Sequence, residues 1–233
     1  MERFWNTVLV ASNNRGKIPE IIENLDMDGW QFFPLHSLGI AEVPEETGET
    51  YVENARIKAR AARLPERPMA TLADDSGLEV DALGGAPGIR SARYSGERAT
   101  DQRNIARLLA ELEGVGEKER TARFVCQIVY IDEEGRELTA EGVCEGHIAL
   151  KPRGRGGFGY DPLFVPADPG DGRTMAELAA EEKGRVSHRG RALRSLREKL
   201  VVHYGFLQYR AEDIGLGDFD EGLGCEGCPG CRS

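Results

Sequence analysis

The apolar run Met69-Ala70-Thr71-Leu72-Ala73 ends in two adjacent carboxylates, Asp74 and Asp75, with Ser76 and Gly77 directly behind them. No other stretch restricts this chain as much. The run has the character of a buried strand, and burying unpaired like charges costs several kcal/mol. The spacing predicts that the strand opens into a turn at the aspartates. There a hard divalent cation with oxygen ligands, magnesium by its chemistry, would compensate them. The plainer reading is a solvated Asp-Asp turn, and the rest of the chain decides between the two.

With 233 residues, 40% hydrophobic and 30% charged, the composition is that of a globular protein with a substantial core. The net charge of -10 argues against an extended duplex-binding surface. A local cluster of Lys and Arg can still hold a small phosphorylated ligand. No apolar run approaches the roughly 18 residues of a membrane span, and Met1-Glu2-Arg3-Phe4-Trp5-Asn6 lacks the features of a signal peptide. The expectation is a cytoplasmic protein with neither nucleic acid nor membrane as partner.

Val8-Leu9-Val10-Ala11 reads as a buried strand, followed by a polar turn through Lys17 and a helix with Ile18, Ile21, Ile22 and Leu25 on one face. Thr50 and Glu53 form a capping box for a second helix, and Thr100 or Asp101 caps a third through Ile105, Leu108, Leu109 and Leu112. Residues 123–131 and 137–150 read as an antiparallel hairpin, and 162–165 as a short strand. Thr174 opens a short helix, and Ser187 caps a long one with Leu193, Leu196 and Leu200 inward. Alternating helices and strands with an antiparallel meander predict an α/β fold around a mixed sheet. The division expected is a domain over 1–205 and an acidic, Gly- and Cys-rich tail over 206–233, read as flexible.

Several segments carry possible chemistry. Ser12-Asn13-Asn14-Arg15-Gly16-Lys17, between strand and helix, offers N–H groups, hydroxyl, amides and a Lys to a phosphate, without Walker A spacing. Glu45-Glu46-Thr47-Gly48 precedes a helix on which Asn54 and Lys58, four apart, share a face. In Gly154-Arg155-Gly156-Gly157-Phe158-Gly159-Tyr160-Asp161, glycines let the backbone approach a flat ligand, and Phe158 or Tyr160 offers a stacking face. Lys183, His188 and Arg189 add cations and donors, and Arg93 is a further cation near the acidic turn. Taken singly, each has a bland reading as a cap, a solvated turn or a packed loop. Together they describe the three parts of a nucleoside triphosphate: cation, phosphates and base.

In order and wording, Ser12-x-Asn14-x-x-Lys17, Glu45-Glu46-Thr47-Gly48, Glu53-Asn54-Ala55, Ala73-Asp74-Asp75-Ser76-Gly77-Leu78, Gly84-Gly85-Ala86-Pro87-Gly88, Ser91-Ala92-Arg93-Tyr94, Gly156-Gly157-Phe158-Gly159-Tyr160-Asp161 and Ser187-His188-Arg189-Gly190 resemble the inosine triphosphatase family, the dITP/XTP pyrophosphatases. The resemblance covers roughly residues 7 to 203. It implies hydrolysis of ITP, dITP and XTP to monophosphate and pyrophosphate, a Mg2+ requirement and a homodimer. It also implies a two-lobed α/β fold, a long mixed sheet flanked by helices with the site in the cleft between lobes. Carried over by position, Ser12, Asn14 and Lys17 hold the triphosphate; Lys58, from the helix face it shares with Asn54, is read as a further substrate-binding residue. Glu45 and Asp75 are the metal carboxylates, Asp75 is the general base and Asp74 its supporting neighbour. Ser76 touches substrate, Phe158, Gly159, Tyr160 and Asp161 form the base-side loop, and Lys183, His188 and Arg189 complete the site, the last two reading the 6-oxo group.

Two rival functions of other classes remain at this point. One is a nucleotide-sensing module that binds a triphosphate without cleaving it, against which Asp75 and Lys17 argue. The other centres on Cys225, Cys228 and Cys231 in the tail, one ligand short of a four-cysteine metal site and without a His.

Overall fold

The computed structural model describes residues 7–12, 14, 16–25, 27–38, 44–64, 66 and 69–208. The Cys225, Cys228 and Cys231 run lies outside the described residues. By compactness the chain divides into Met1–Arg197 and Glu198–Ser233. The residues expected to carry function all fall in the first unit.

The architecture is the mixed α/β sheet read from the sequence. Strands β1 (Thr7–Val10), β2 (Gln31–Pro34), β3 (Ala70–Val80), β4 (Thr121–Ile131), β5 (Glu137–Ile148) and β6 (Phe164–Pro166) form one six-stranded sheet in the order β2-β1-β3-β4-β5-β6. β1 pairs in parallel with β2 and β3, while β3 to β6 run antiparallel in succession. Helices α1 (Lys17–Leu25), α2 (Tyr51–Ala61), α3 (Asp101–Glu111), α4 (Ala180–Val186) and α5 (His188–Gln208) complete the regular structure with short 3-10 turns. Thr50 caps α2 in a full capping box, Thr100 caps α3, and Ser187 Oγ accepts from Gly190 N at the start of α5.

Three expectations change. The strand does not turn at Asp74-Asp75: β3 runs on to Val80, its register against β4 unbroken through Asp74↔Ile128, Asp75↔Gln127 and Ser76↔Cys126. Charge does not break a strand when each carboxylate finds a cationic partner from another element, and both do. Ile22 is 40% exposed, so only Ile18, Ile21 and Leu25 of the α1 stripe are buried. β2, built on Phe32 and Phe33, was not anticipated, because four residues with one apolar pair fall below the alternation that marks a strand.

β3 is the spine of the site because successive side chains leave it on opposite faces. Ala73, Asp75 and Glu79 meet α2: Ala73 packs with Ala55 and Ala59, Asp75 bonds Asn54 and Lys58, and Tyr51 Oη donates to Glu79. Those α2 residues recur at the 3–4 residue spacing of one helix face. On the other face, Asp74 and Ser76 meet Arg189, while Leu78 and Val80 enter a core with Leu108, Leu112, Leu163, Phe164 and Val186. The start of α5 lies almost against β5. A Cβ built on Gly142 would stand 2.1 Å from His188 O and 2.4 Å from Ala192 N. Gly142→Ala is therefore expected to destabilise the protein by about 1–3 kcal/mol through overpacking. Urea unfolding of the variant beside wild type checks it, and loss of activity in the folded fraction would show α5 displaced.

Candidate active site

The loop between β1 and α1 folds on its own polar side chains. Buried Ser12 accepts from Asn14 N at 3.2 Å, and Asn14 Oδ1 accepts from Gly16 N at 2.9 Å. These bonds turn the chain into α1 and send Lys17 across to β3, its Nζ 2.9 Å from Asp74 Oδ2. Asn13 and Arg15 lie outside the described residues.

Asp74 is a buried hub. Its Oδ2 accepts from Lys17 and from Nε and Nη2 of Arg189, each at 3.2 Å. Burial alone would raise its pKa, but Lys17, Arg189 and Lys58 overcome this and hold the carboxyl far below its usual range. Asp74 Oδ1 is buried and has no hydrogen-bond partner. Arg189, also buried, donates further to Glu20 Oε2 at 2.5 Å and Ser76 Oγ at 3.1 Å. Glu20 takes Lys183 Nζ at 2.5 Å as well, and Lys183 reaches Asp161 Oδ2 at 2.8 Å. α1, β3, α4, α5 and the glycine loop are thus joined by one chain of charges.

Asp75 faces another set of groups. Lys58 Nζ stands 3.2 Å from Oδ1 and Asn54 Nδ2 3.3 Å from Oδ2. Lys58 also holds Glu46 Oε1 at 3.0 Å, and Arg93 Nη1 holds Glu46 Oε2 at 2.8 Å. Burial pushes the Asp75 pKa up, with the charge of Glu46 in the same direction and Lys58 opposing. For Glu46, burial is outweighed by Lys58 and Arg93, and its pKa falls. The pair is one carboxylate kept ionised beside another made more basic.

The glycine loop divides its aromatics. Tyr160 is buried in the core with its hydroxyl donated to Ser91 O at 2.9 Å, so it offers no stacking face. Phe158 is the half-buried ring, with Lys183 Nζ 4.9 Å and Arg189 Cζ 5.6 Å from its centroid. A Cβ on Gly16 would meet Phe158 at 2.9 Å, so the first loop and this one are in contact. Asp161 accepts from Phe158 N at 2.9 Å, and Gly159 N donates to Asp101 Oδ2 at 2.7 Å.

The described residues can be tested against a divalent cation such as magnesium. Among the described residues no group of three or more His, Cys, Asp or Glu side chains could hold a metal. Magnesium asks for less: one or two carboxylates, the remaining positions going to water and substrate phosphates. Asp75 and Glu46, drawn to the same Lys58 ammonium, supply that donor set on the rim of a cationic cluster.

Of the expected residues, the structure joins Lys17, Ser76, Lys183 and Arg189 with Phe158 and Asp161 on one side of β3, and Lys58 with Asp75 on the other. Glu45 is exposed, and it is Glu46 that turns to Lys58 and Arg93. Nothing in two adjacent glutamates of an irregular turn distinguishes inward from outward. Glu20 carries no signal in the sequence, being one acidic residue on an amphipathic helix and 163 positions from Lys183. In the sequence Asp101 signals no more than a helix cap.

His188 is buried and stacked on Phe124 at 4.6 Å, 12° between planes, and its Nδ1 has no hydrogen-bond partner. Burial first, then Arg189, Lys183 and Lys17, hold its pKa well below the usual value, so the ring is neutral. The unfolded chain, with His near 6.5, then binds more protons than the folded one below that pH. Stability is expected to fall as pH drops below about 6.5, at up to roughly 1.4 kcal/mol per unit from this group. Urea unfolding at pH 7 and pH 5 measures the fall, and His188→Gln should reduce it.

Comparison with known proteins agrees with this geometry. The model of the Ham1 family matches residues 8–199. The chain is 50% identical over 196 residues to the dITP/XTP pyrophosphatase of Methylococcus capsulatus, covering 83% of this chain and 95% of that protein. It is 47% identical over 196 residues to the dITP/XTP pyrophosphatase of Escherichia coli strain K12, covering 83% and 97%. The solved structure of a HAM1 protein from Coxiella burnetii superposes with a TM-score of 0.74 at 43% identity, over 84% of this chain and 98% of that one. With the match running from β1 into α5 and through every segment of the site, the chain belongs to the Ham1 family.

Proposed function

We propose that this protein is a nucleoside triphosphate pyrophosphatase, a hydrolase of phosphoric anhydrides. It cleaves ITP, dITP and XTP to the nucleoside monophosphate and pyrophosphate and so clears deaminated purines from the nucleotide pool. Its relatives bear the name of this activity. The observation that carries the reading is Asp75: a buried carboxylate made more basic, held by Lys58 and Asn54 beside Glu46, one residue from the Asp74–Lys17–Arg189 hub.

In this reading Ser12, Asn14, Lys17 and Lys58 bind the triphosphate, and Ser76 touches substrate. Asp75 takes the proton of the attacking water, and its raised pKa suits it to general-base work. Asp75 and the Glu45-Glu46 turn would hold Mg2+, which would supply positive charge to offset that of the triphosphate. The ordered turn favours Glu46 over Glu45 for that place. On the base side, Phe158 offers its ring while Gly159, Tyr160 and Asp161 shape the loop and Lys183 tethers it. His188 and Arg189 read the purine 6-oxo group. Adenine carries an amino donor there, and each buried donor left unpaired costs about 1–3 kcal/mol, so two or three such losses give discrimination of about several hundredfold or more. A homodimer and a cytoplasmic setting belong to the same proposal, supported by the resemblance and, for the setting, by the free thiols Cys126 and Cys144. Light scattering of the purified protein tests the dimer.

The deciding experiment is a magnesium-dependent assay with ITP, XTP and ATP scored for pyrophosphate against phosphate. ITP and XTP are expected to release pyrophosphate at least about a hundredfold more efficiently than ATP, with all turnover lost on chelation. Phosphate release, or equal rates with ATP, would sink the reading. Asp75→Asn should lower kcat by about a hundredfold or more. Glu46→Gln should raise the magnesium requirement more than Glu45→Gln, and the reverse order would return that role to Glu45.

A further inference from the structure

Asn54 is wholly buried on α2 and uses both ends of its amide. Nδ2 donates to Asp75 Oδ2 at 3.3 Å, and Oδ1 accepts from Gly48 N at 2.8 Å. One side chain thus touches the strand that carries the base and the turn that carries the second acidic group. Gly48 lies so close that an added Cβ would meet Asn54 Oδ1 at 2.8 Å and Glu53 Cβ at 2.7 Å. The rest of the turn is fastened to the same helix end. Glu49 N and Thr50 N donate to Glu53 Oε2, and Lys58 holds Glu46.

A buried amide with this geometry has a specific consequence. A carboxylate on β3 could rotate about its last torsion, but with Lys58 on one oxygen and Asn54 on the other its plane is fixed. The turn is held at the same register, because the acceptor oxygen that fixes it belongs to the same rigid amide. We propose that Asn54 is a positioning residue: it sets the orientation of Asp75 and ties the acidic turn to it, so that both carboxylates present to one cation together. The inference rests on the pyrophosphatase reading of Asp75 and adds a residue that does not itself touch the reacting atoms.

The two hydrogen bonds can be separated. Asn54→Asp keeps the shape and the acceptor for Gly48 N but loses the donor to Asp75. Asn54→Ala loses both bonds. Three measurements are made on the full chain: kcat and KM for ITP, Mn2+ affinity from the EPR signal of free ion, and thermal unfolding. For Asn54→Asp the expected result is a kcat lower by about tenfold or more, a KM for ITP within about threefold of wild type and a changed Mn2+ affinity, with cooperative unfolding retained. Asn54→Ala is expected to weaken Mn2+ binding relative to wild type, because the turn is also released. If Asn54→Asp matches wild type in kcat and Mn2+ affinity while Asp75→Asn is inactive, the positioning role is wrong and the pyrophosphatase reading stands. Equal loss in kcat and KM with a lowered melting temperature would make Asn54 merely structural and also overturn the inference. Failure of wild type to release pyrophosphate from ITP would overturn the function instead.

Discussion

The Asp74 carboxylate, enclosed at the centre of the sheet, is the interaction on which the rest of the site depends. Lys17 and Arg189 come from opposite ends of the sequence, and both end on the same oxygen. Removing one member of such a buried set leaves an uncompensated charge, which costs far more than an exposed pair contributes. The hub therefore fixes the first loop, the middle of β3 and the start of α5 against one another, and Glu20 extends the order to Lys183 and the glycine loop. What the hub contributes is registry, since packed apolar groups of the same volume could hold these elements at least as firmly.

Beside that hub sits a second set of groups with another task. Lys58 is shared between Glu46 and Asp75, and Arg93 draws Glu46 further. One carboxylate has its pKa lowered and its neighbour has its pKa raised. Two acids that share one ammonium are thus driven apart in pKa by the rest of their surroundings.

Much of this was legible in the sequence, and the failures have physical causes. Local signals worked: Thr50 with Glu53, Thr100 and Ser187 mark helix starts because a capping bond spans only three residues. Asp74-Asp75 was legible as a place where charge demands compensation, yet not as mid-strand, because its partners come from elements remote in sequence. Tyr160 and Phe158 flank one glycine and differ in direction only through the reversal of the loop at Gly159, φ 61°. Glu46 and Glu45 likewise differ by orientation within a turn that has no period. Glu20 shows no signal at all until α1 and α4 are placed side by side. Composition and spacing carry residue type and local geometry; the side to which an irregular segment turns is settled by tertiary contacts.

The pleat of β3 has a further consequence for how such a protein can change over time. Asp74 and Asp75 are neighbours in the chain but serve opposite faces of one strand, the first facing α5 and the second facing α2. Phe158, Lys183 and Arg189 gather on the Asp74 side and Asn54, Lys58 and Glu46 on the Asp75 side, yet the charge of Lys17 also acts on Asp75 and that of Lys58 on Asp74. A change of charge on one face therefore reaches the carboxylate on the other, and the two sets of residues are expected to vary together. One two-residue repeat in the backbone thus divides the cations into two sets while leaving their charges coupled.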